Sequence, residues 1–335
     1  MRKKIKSLKE NFRIGIDLMG CDTQPMQILL AIAEFVSQLP PSFSVVLLGT
    51  LNSFSLPSHP RLTYIHTDEF ITMDEDPLYA VRRKKKSSLC LGIKMLRDKE
   101  IDAFISAGNT GALMAAVTFS LEKLPGIERP ALLALVPTSQ AQSVAVLDVG
   151  ANPTAKAKQL LQYAAMGLAF QKCQGVENPT VGLLNIGSEE KKGTHEVREA
   201  YQQLTELNEG NPSKPIFLGN IEGRSAFSGY VDVIVTDGFT GNIFLKTSEG
   251  IASFILSQIE EREKDPSAYI LKELRKLLHY AEYPGAVMCG IEGIVMKCHG
   301  DGMPNAFCES LKETCRLLTN DFLTKIKDQL REIII

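Results

Sequence analysis

The 335-residue chain lacks an excess of either charge: 37 lysines and arginines stand against 39 aspartates and glutamates, a net charge of −2 at pH 7. The basic surplus of a nucleic-acid binder is missing, so no nucleic-acid partner is expected. No apolar run reaches the roughly 18 residues of a membrane-spanning helix. The opening "MRKKIKSLKE" is basic with no apolar segment behind it. It reads as a solvated arm over residues 1–12, not as a secretory signal. The seven cysteines form no C-x-x-C pair and are odd in number, which suits an intracellular, reduced protein with small buried thiols.

Catalytic signatures are missing as well. The chain has no G-x-G-x-x-G dinucleotide fingerprint, no G-x-x-x-x-G-K-[ST] phosphate loop and no G-x-S-x-G elbow. No His/Cys spacing suggests zinc. What these absences leave is anion binding without a dedicated nucleophilic side chain.

What is present is an alternation of short Val/Ile/Leu runs with longer helical patterns. "FRIGIDLM", "SVVLLGT", "LTYIH", "DAFIS", "TVGLLNIG", "PIFLGN" and "VDVIVTD" read as strands. "ALLALVP" and "SVAVLDVG" read as a strand pair, and "EGIVMKCHG" as a strand before a final helix past Pro304. Residues 76–100 read as one long helix, 155–173 as another, and 194–207 as a third. A long helix follows Asn242, interrupted at Asp265 and Pro266 before "SAYILKELRKLLHYA". Continuous apolar strands between helices predict an α/β fold, a mostly parallel sheet covered by helices on both faces. With no repeat and no long linker, residues 13–335 read as one domain, with a smaller helical lobe around 243–285 as a variant of that arrangement.

In an open α/β sheet, ligands bind outside the carboxyl ends of the strands. Here those ends read "DLMGCD", "SAGNTGA", "LDVGAN", "NIGSEEKKG", "GNIEGR", "DGFTGN" and "KCHGDG". Glycine lets backbone approach a ligand, and a following helix adds its positive end. Glycine and asparagine also simply make turns, but seven such loops in one chain point further. Inorganic phosphate needs little help as a nucleophile, since its second ionisation should lie near neutrality. A thiol leaving group also needs only weak acid assistance. Attack of phosphate on a thioester would therefore need positioning and oxyanion stabilisation, and no metal or organic cofactor.

Several longer stretches resemble one family. "MDEDPLYAVRRKKKSS", "SAGNTGALMA", "LPGIERPAL", "LDVGAN", "LLNIGSEEKKG", "GNIEGR", "DGFTGNIFLKTSEG" and "KCHG" are similar to the bacterial phosphate acyltransferases, which convert acyl-[acyl-carrier-protein] and phosphate into acyl phosphate. The resemblance runs from about Ile14 to the last helix. It implies the fold of phosphate acetyltransferases and of isocitrate dehydrogenase, a homodimer, and acyl phosphate made for glycerol-3-phosphate acylation at the start of phospholipid synthesis. It also implies a cytoplasmic enzyme held peripherally at the inner face of the cell membrane, near the downstream membrane acyltransferase. Two positions depart from the family pattern: Cys21 stands at a glycine and Cys298 at a serine.

The candidate phosphate set is Ser106, Gly108, Asn109, Thr110 and Gly111, with Arg82. Asn109 and Thr110 equally suit a helix cap. Arg82, Arg83, Lys84, Lys85 and Lys86 cannot all share one helix face: a solvated face, contacts to phosphate and contacts to an acidic carrier protein are all open to them. The candidate catalytic set is Lys192, Asp237, Asn242 and His299. Lys192 matches the family's loop lysine, although beside Glu189 and Glu190 it also reads as a surface charge. Asp237 suits either a helix cap or the orientation of a catalytic partner. His299, in a glycine-flanked strand-end loop, is the candidate donor to the oxyanion or the leaving sulfur. On "SAYILKELRKLLHYA", Ile270, Leu274 and Leu277 form an apolar stripe beside Lys272, Arg275 and Lys276. That pattern fits an anionic membrane surface, a packed helix or a dimer contact. Two rivals stay open: a phosphate acetyltransferase-like enzyme using short acyl-coenzyme A, and a non-catalytic acyl-carrier or lipid-interface binding protein.

Overall fold

A computed structural model describes residues 11–50, 56–140, 142–209, 216–262, 274, 285–298 and 304–333. The chain divides into two compact units, Met1–Ser120 with Cys298–Leu318, and Leu121–Lys297 with Thr319–Ile335.

The first unit holds strands β1 (Phe12–Asp17), β2 (Phe43–Gly49), β3 (Leu62–His66) and β4 (Ala103–Ser106). They lie in the order β3-β2-β1-β4, all parallel. β4 is buried along its whole length and β1 over its last four residues, as expected where helices cover both faces. Helices α1 (Pro25–Phe35), α2 (Pro77–Arg83), α3 (Ser88–Arg97) and α4 (Thr110–Ser120) follow in chain order, and Pro304–Thr319, here α8, completes the unit.

The long helix expected over 76–100 is in fact two. Lys84 leaves helical geometry at φ −94°, ψ 60°, and its ammonium donates to the Phe70 carbonyl and to Glu75. Ser87 then accepts from the Cys90 amide and opens α3. The basic run therefore spans a helix end and a turn.

The second unit holds β5 (Ala131–Val136), β6 (Val144–Leu147), β7 (Val181–Asn185), β8 (Phe217–Glu222), β9 (Val233–Val235), β10 (Ala286–Cys289) and β11 (Ile294–Lys297). Their order is β11-β10-β5-β6-β9-β7-β8. The β6-β9-β7-β8 run is parallel, while β10 is antiparallel to both neighbours and β5 to β6. β10 is a strand that the apolar pattern did not separate from its surroundings.

Helices α5 (Ala157–Cys173), α6 (His195–Glu209), α7 (Gly238–Arg262) and α9 (Phe322–Ile333) belong to this unit. α5 is buried along almost its whole length. Its Phe170 meets Phe322 of α9 edge to face, ring centres 5.9 Å apart, a favourable aromatic geometry. The single final helix expected past Pro304 is also two, because Asp321 turns left-handed at φ 49°. No helix of the described residues is long and apolar enough to cross a membrane.

Candidate active site

The first unit carries candidate residues at two parallel strand ends. Asp17 closes β1 and Ser106 closes β4, and the two are register partners. The Ser106 hydroxyl donates to Asp17 Oδ2 at 2.9 Å and accepts from the Gly108 amide at 3.1 Å. Asp17 Oδ1 accepts from the Met19 amide. Both side chains are buried, so Ser106 shapes the loop and is not offered to a ligand.

Asn109 is committed in the same way. Its Oδ1 accepts from the Ala112 amide at 3.0 Å, capping α4. Its Nδ2 donates to the carbonyls of Met73 and Glu75, with Thr72 at the limit of range. The cap reading of Asn109 thus accounts for its whole carboxamide. The backbone is another matter. Among the described residues, the amides of Asn109, Thr110 and Gly111 have no acceptor, and Thr110 and Gly111 are exposed. They form the positive end of an 11-residue helix. A Cβ on Gly111 would stand 2.6 Å from the Pro77 ring of α2, so glycine is what lets α2 press against this opening turn.

Arg82 is placed by the structure beside an aromatic ring. Its guanidinium lies 5.8 Å from the ring centre of Phe119, at the far end of α4 from Thr110. At 1.5 Å per residue, that is about 13 Å along the helix from the open amides.

The two family departures also fall in this unit. Cys21 is half-buried, and burial pushes its thiol up. Cys298 is buried, its amide donates to the Ser106 carbonyl at 2.9 Å, and its sulfur lies 2.9 Å from the Ser310 hydroxyl. His299 lies outside the described residues. So do Ile270, Lys272, Arg275, Lys276 and Leu277; of that stretch only Leu274, a helical residue, is described.

In the second unit, Asp148 follows β6 and is fully buried. It accepts five hydrogen bonds, from the amides of Leu132, Gly150, Ala151 and Asn152 and from the Asn152 carboxamide. Burial pushes its carboxyl up, against the pull of these donors. The Asn152 carbonyl in turn accepts from the Gly238 amide, the first of α7. A Cβ on Gly241 would stand 1.9 Å from the Asp148 carbonyl oxygen, so the glycines of "DGFTGN" let α7 seat its first turn on this loop. Tyr163 is buried nearby, with the Asn152 side chain beside its hydroxyl. Burial, with the Asp148 charge, pushes the phenol up.

Asp237 caps α7: its carboxylate accepts from the Thr240 amide and hydroxyl. Because of that cap α7 starts at Gly238, and Asn242 sits inside its first turns. The Asn242 carboxamide lies over Gly150, with Oδ1 3.5 Å from where a Cβ would be. It is exposed and makes no hydrogen bond among the described residues. Lys192 is likewise exposed, its stem over Gly187 and its ammonium without an acceptor among the described residues. Its backbone is fixed, the carbonyl accepting from Asn185 and the amide donating to the Glu189 carbonyl. Of the catalytic candidates among the described residues, Lys192 and Asn242 are therefore those whose polar groups have no partner there.

Asp17, Asp148 and Asn152 were missing from the sequence-based set. The signal for the two aspartates was a charged residue closing an apolar strand, "FRIGID" and "SVAVLD", just before a glycine-bearing loop.

The fold and the strand-end loops define the class first. The chain is similar to a phosphotransacetylase from Streptococcus pyogenes, with a TM-score of 0.63 over 93% of this chain and 95% of that one. At 14% sequence identity this is a likeness of fold. The family model described as "Fatty acid synthesis protein" matches residues 12–325. Phosphate acyltransferases of Geobacillus sp. (strain WCH70) and Exiguobacterium sp. (strain ATCC BAA-1283 / AT1b) are 40% and 41% identical to it. The matches cover 96% and 94% of this chain and 99% and 98% of those proteins. The chain belongs to the phosphate acyltransferase family of acyltransferases.

Proposed function

We propose that the protein transfers a fatty acyl group from acyl-acyl carrier protein to inorganic phosphate, supplying acyl phosphate for phospholipid synthesis. The observation that carries this reading is the opening of α4, where the amides of Asn109, Thr110 and Gly111 have no acceptor among the described residues. A tetrahedral oxyanion is the ligand such a helix start favours.

In the proposed reaction a phosphate oxygen attacks the thioester carbonyl carbon. The new C–O bond forms as the C–S bond breaks, and the carrier thiolate leaves and takes up a proton. Lys192 and Asn242 supply charge and a hydrogen bond to the developing oxyanion. His299, which lies outside the described residues, is the candidate donor to the oxyanion or the leaving sulfur. Asp148, Asn152 and Asp237 act through others: they hold the loop and the helix on which Asn242 stands.

The same reading includes a homodimer and a peripheral association with the inner face of the membrane through residues 267–281, which would keep the product near a downstream membrane acyltransferase. Purified protein, acyl-acyl carrier protein and phosphate should together release free carrier thiol, and omission of phosphate should abolish the release. Thiol release that ignores phosphate would overturn the reading. Turnover confined to short acyl-coenzyme A would replace it with the acetyltransferase-like one.

A further inference from the structure

The end of α2 carries four cations that have no acidic partner among the described residues. Arg82 and Arg83 are exposed in its last turn, and Lys85 and Lys86 in the turn that follows. Among the described residues none of the four forms an ion pair, whereas Lys84, between them, is bonded to Glu75. The neighbouring acids are otherwise placed. Asp76 caps the start of α2, and the Glu69 carboxylate accepts from the Lys86 backbone amide. Asp74 precedes the helix, at its opposite end.

Two of these cations are braced on exposed rings. The Arg82 guanidinium lies 5.8 Å from the Phe119 ring centre and that of Arg83 5.6 Å from the Tyr79 ring centre. Tyr79 is 63% exposed, Phe119 54% and Leu78 50%. Stacking of this kind holds an arginine in place while its N–H groups stay open to carboxylates. Exposed aromatics with ordered arginines are the composition of protein-interface anchors. A lipid surface is a poorer fit. α2 is seven residues long and turns Ala80 and Val81 inward. Its exposed Leu78 and Tyr79 are too few for the long apolar stripe of an interfacial helix.

The patch is tied to the phosphate-binding turn. Pro77 lies against Gly111 and Arg82 against Phe119, so α2 and α4 run side by side in the same direction. A protein seated on α2 is thereby aligned with the helix whose first amides are open.

We infer that the Tyr79–Arg82–Arg83–Lys85–Lys86–Phe119 face docks the acidic carrier protein that delivers the acyl group. This rests on the carrier-protein donor proposed above. The test uses the full chain with Arg83→Glu, Lys85→Glu and Lys86→Glu combined, beside a control with Arg83→Lys, Lys85→Arg and Lys86→Arg. Like charge across a docking surface slows encounter and weakens binding. The reversed variant should raise KM for acyl-acyl carrier protein at least about tenfold, with kcat and the phosphate KM unchanged and the circular dichroism spectrum retained. The control should keep the wild-type KM. In the wild type, KM should climb steeply with salt, and in the reversed variant it should not.

An unchanged carrier KM in the reversed variant, with wild-type turnover intact, would overturn this docking face and leave the donor assignment standing. Loss of sedimentation with phosphatidylglycerol vesicles at an unchanged carrier KM would overturn it in favour of a lipid contact. Absence of any wild-type turnover with acyl-acyl carrier protein would overturn the donor assignment itself, and the docking face with it.

Discussion

The amides that open α4 and those that open α7 meet opposite fates, although both helices follow a strand end rich in Gly, Asn and Asp. At α4 the Asn109 side chain takes the Ala112 amide and the amides of residues 109–111 are left over. At α7 the Gly238 amide goes to the Asn152 carbonyl and the Thr240 amide to Asp237. The adjoining loop spends its own amides of Gly150, Ala151 and Asn152 on Asp148. One region offers backbone donors. The other uses its backbone to hold itself together and offers a side chain, Asn242. Loop composition is thus a poor guide to which backbone donors stay open; at α7 the difference is that the Asp148 carboxylate takes the amides of its own loop.

The strongest way to break this comparison is Asp148→Asn. An amide nitrogen would then face at least two N–H donors, at a cost of about 2–5 kcal/mol. Urea unfolding should show that loss; a change below about 0.5 kcal/mol would mean the carboxylate does not organise the loop.

Next in size are the available side chains. Lys192→Ala and Asn242→Ala should each lower turnover by about a hundredfold with unfolding midpoints unmoved, because neither side chain has a partner to lose. Asp237→Ala should do the reverse: about 1 kcal/mol of stability lost with the cap, and a smaller kinetic effect. A hundredfold kinetic loss in Asp237→Ala at full stability would instead restore its catalytic reading.

Gly111→Ala probes the other region. Its Cβ would meet the Pro77 ring at 2.6 Å, an overpacking cost of about 1–3 kcal/mol. The shifted turn should raise the phosphate KM several-fold and spare the KM for the acyl donor. An unchanged phosphate KM would remove the 109–111 amides from the site.

The smallest effect concerns the loop that Asn109 clamps. The hydrogen bonds from Lys84 and from the Thr72 amide hold the Glu75 carboxyl below its ordinary 4.5. The unfolded chain therefore binds that proton more readily, and the contribution is present above pH 4.5 and lost as pH falls through the lowered value. Glu75→Gln should cost under about 1 kcal/mol at pH 7 and nothing at the acid end. A pH-independent difference in thermal unfolding would show that the charge is not the cause.

Much of the architecture was readable in advance. The runs "FRIGID", "SVAVL" and "VDVIV" are buried strands because only a sheet covered on both faces accepts continuous Val/Ile/Leu. The alternation with helices fixed the α/β class. Less of the site was readable. Ser106, Asn109 and Asp237 carry the residue types of ligands, yet each is consumed by a neighbour. Residues 76–100 read as one continuous helix. The break at Lys84 depends on Glu75 and the Phe70 carbonyl, partners that propensity along the helix does not contain. Asp17 and Asp148 were overlooked because a lone aspartate at a strand end shows nothing of the amides folded around it.

By itself, then, the sequence determined the class of fold and the family, because periodicity and motif are properties of neighbours along the chain. The tertiary structure alone decided which donors in the strand-end loops are spent and which remain. A hydrogen bond such as Ser106 to Asp17 joins residues 89 positions apart, and whether a polar group is satisfied is settled only when distant backbone is brought within about 3 Å of it.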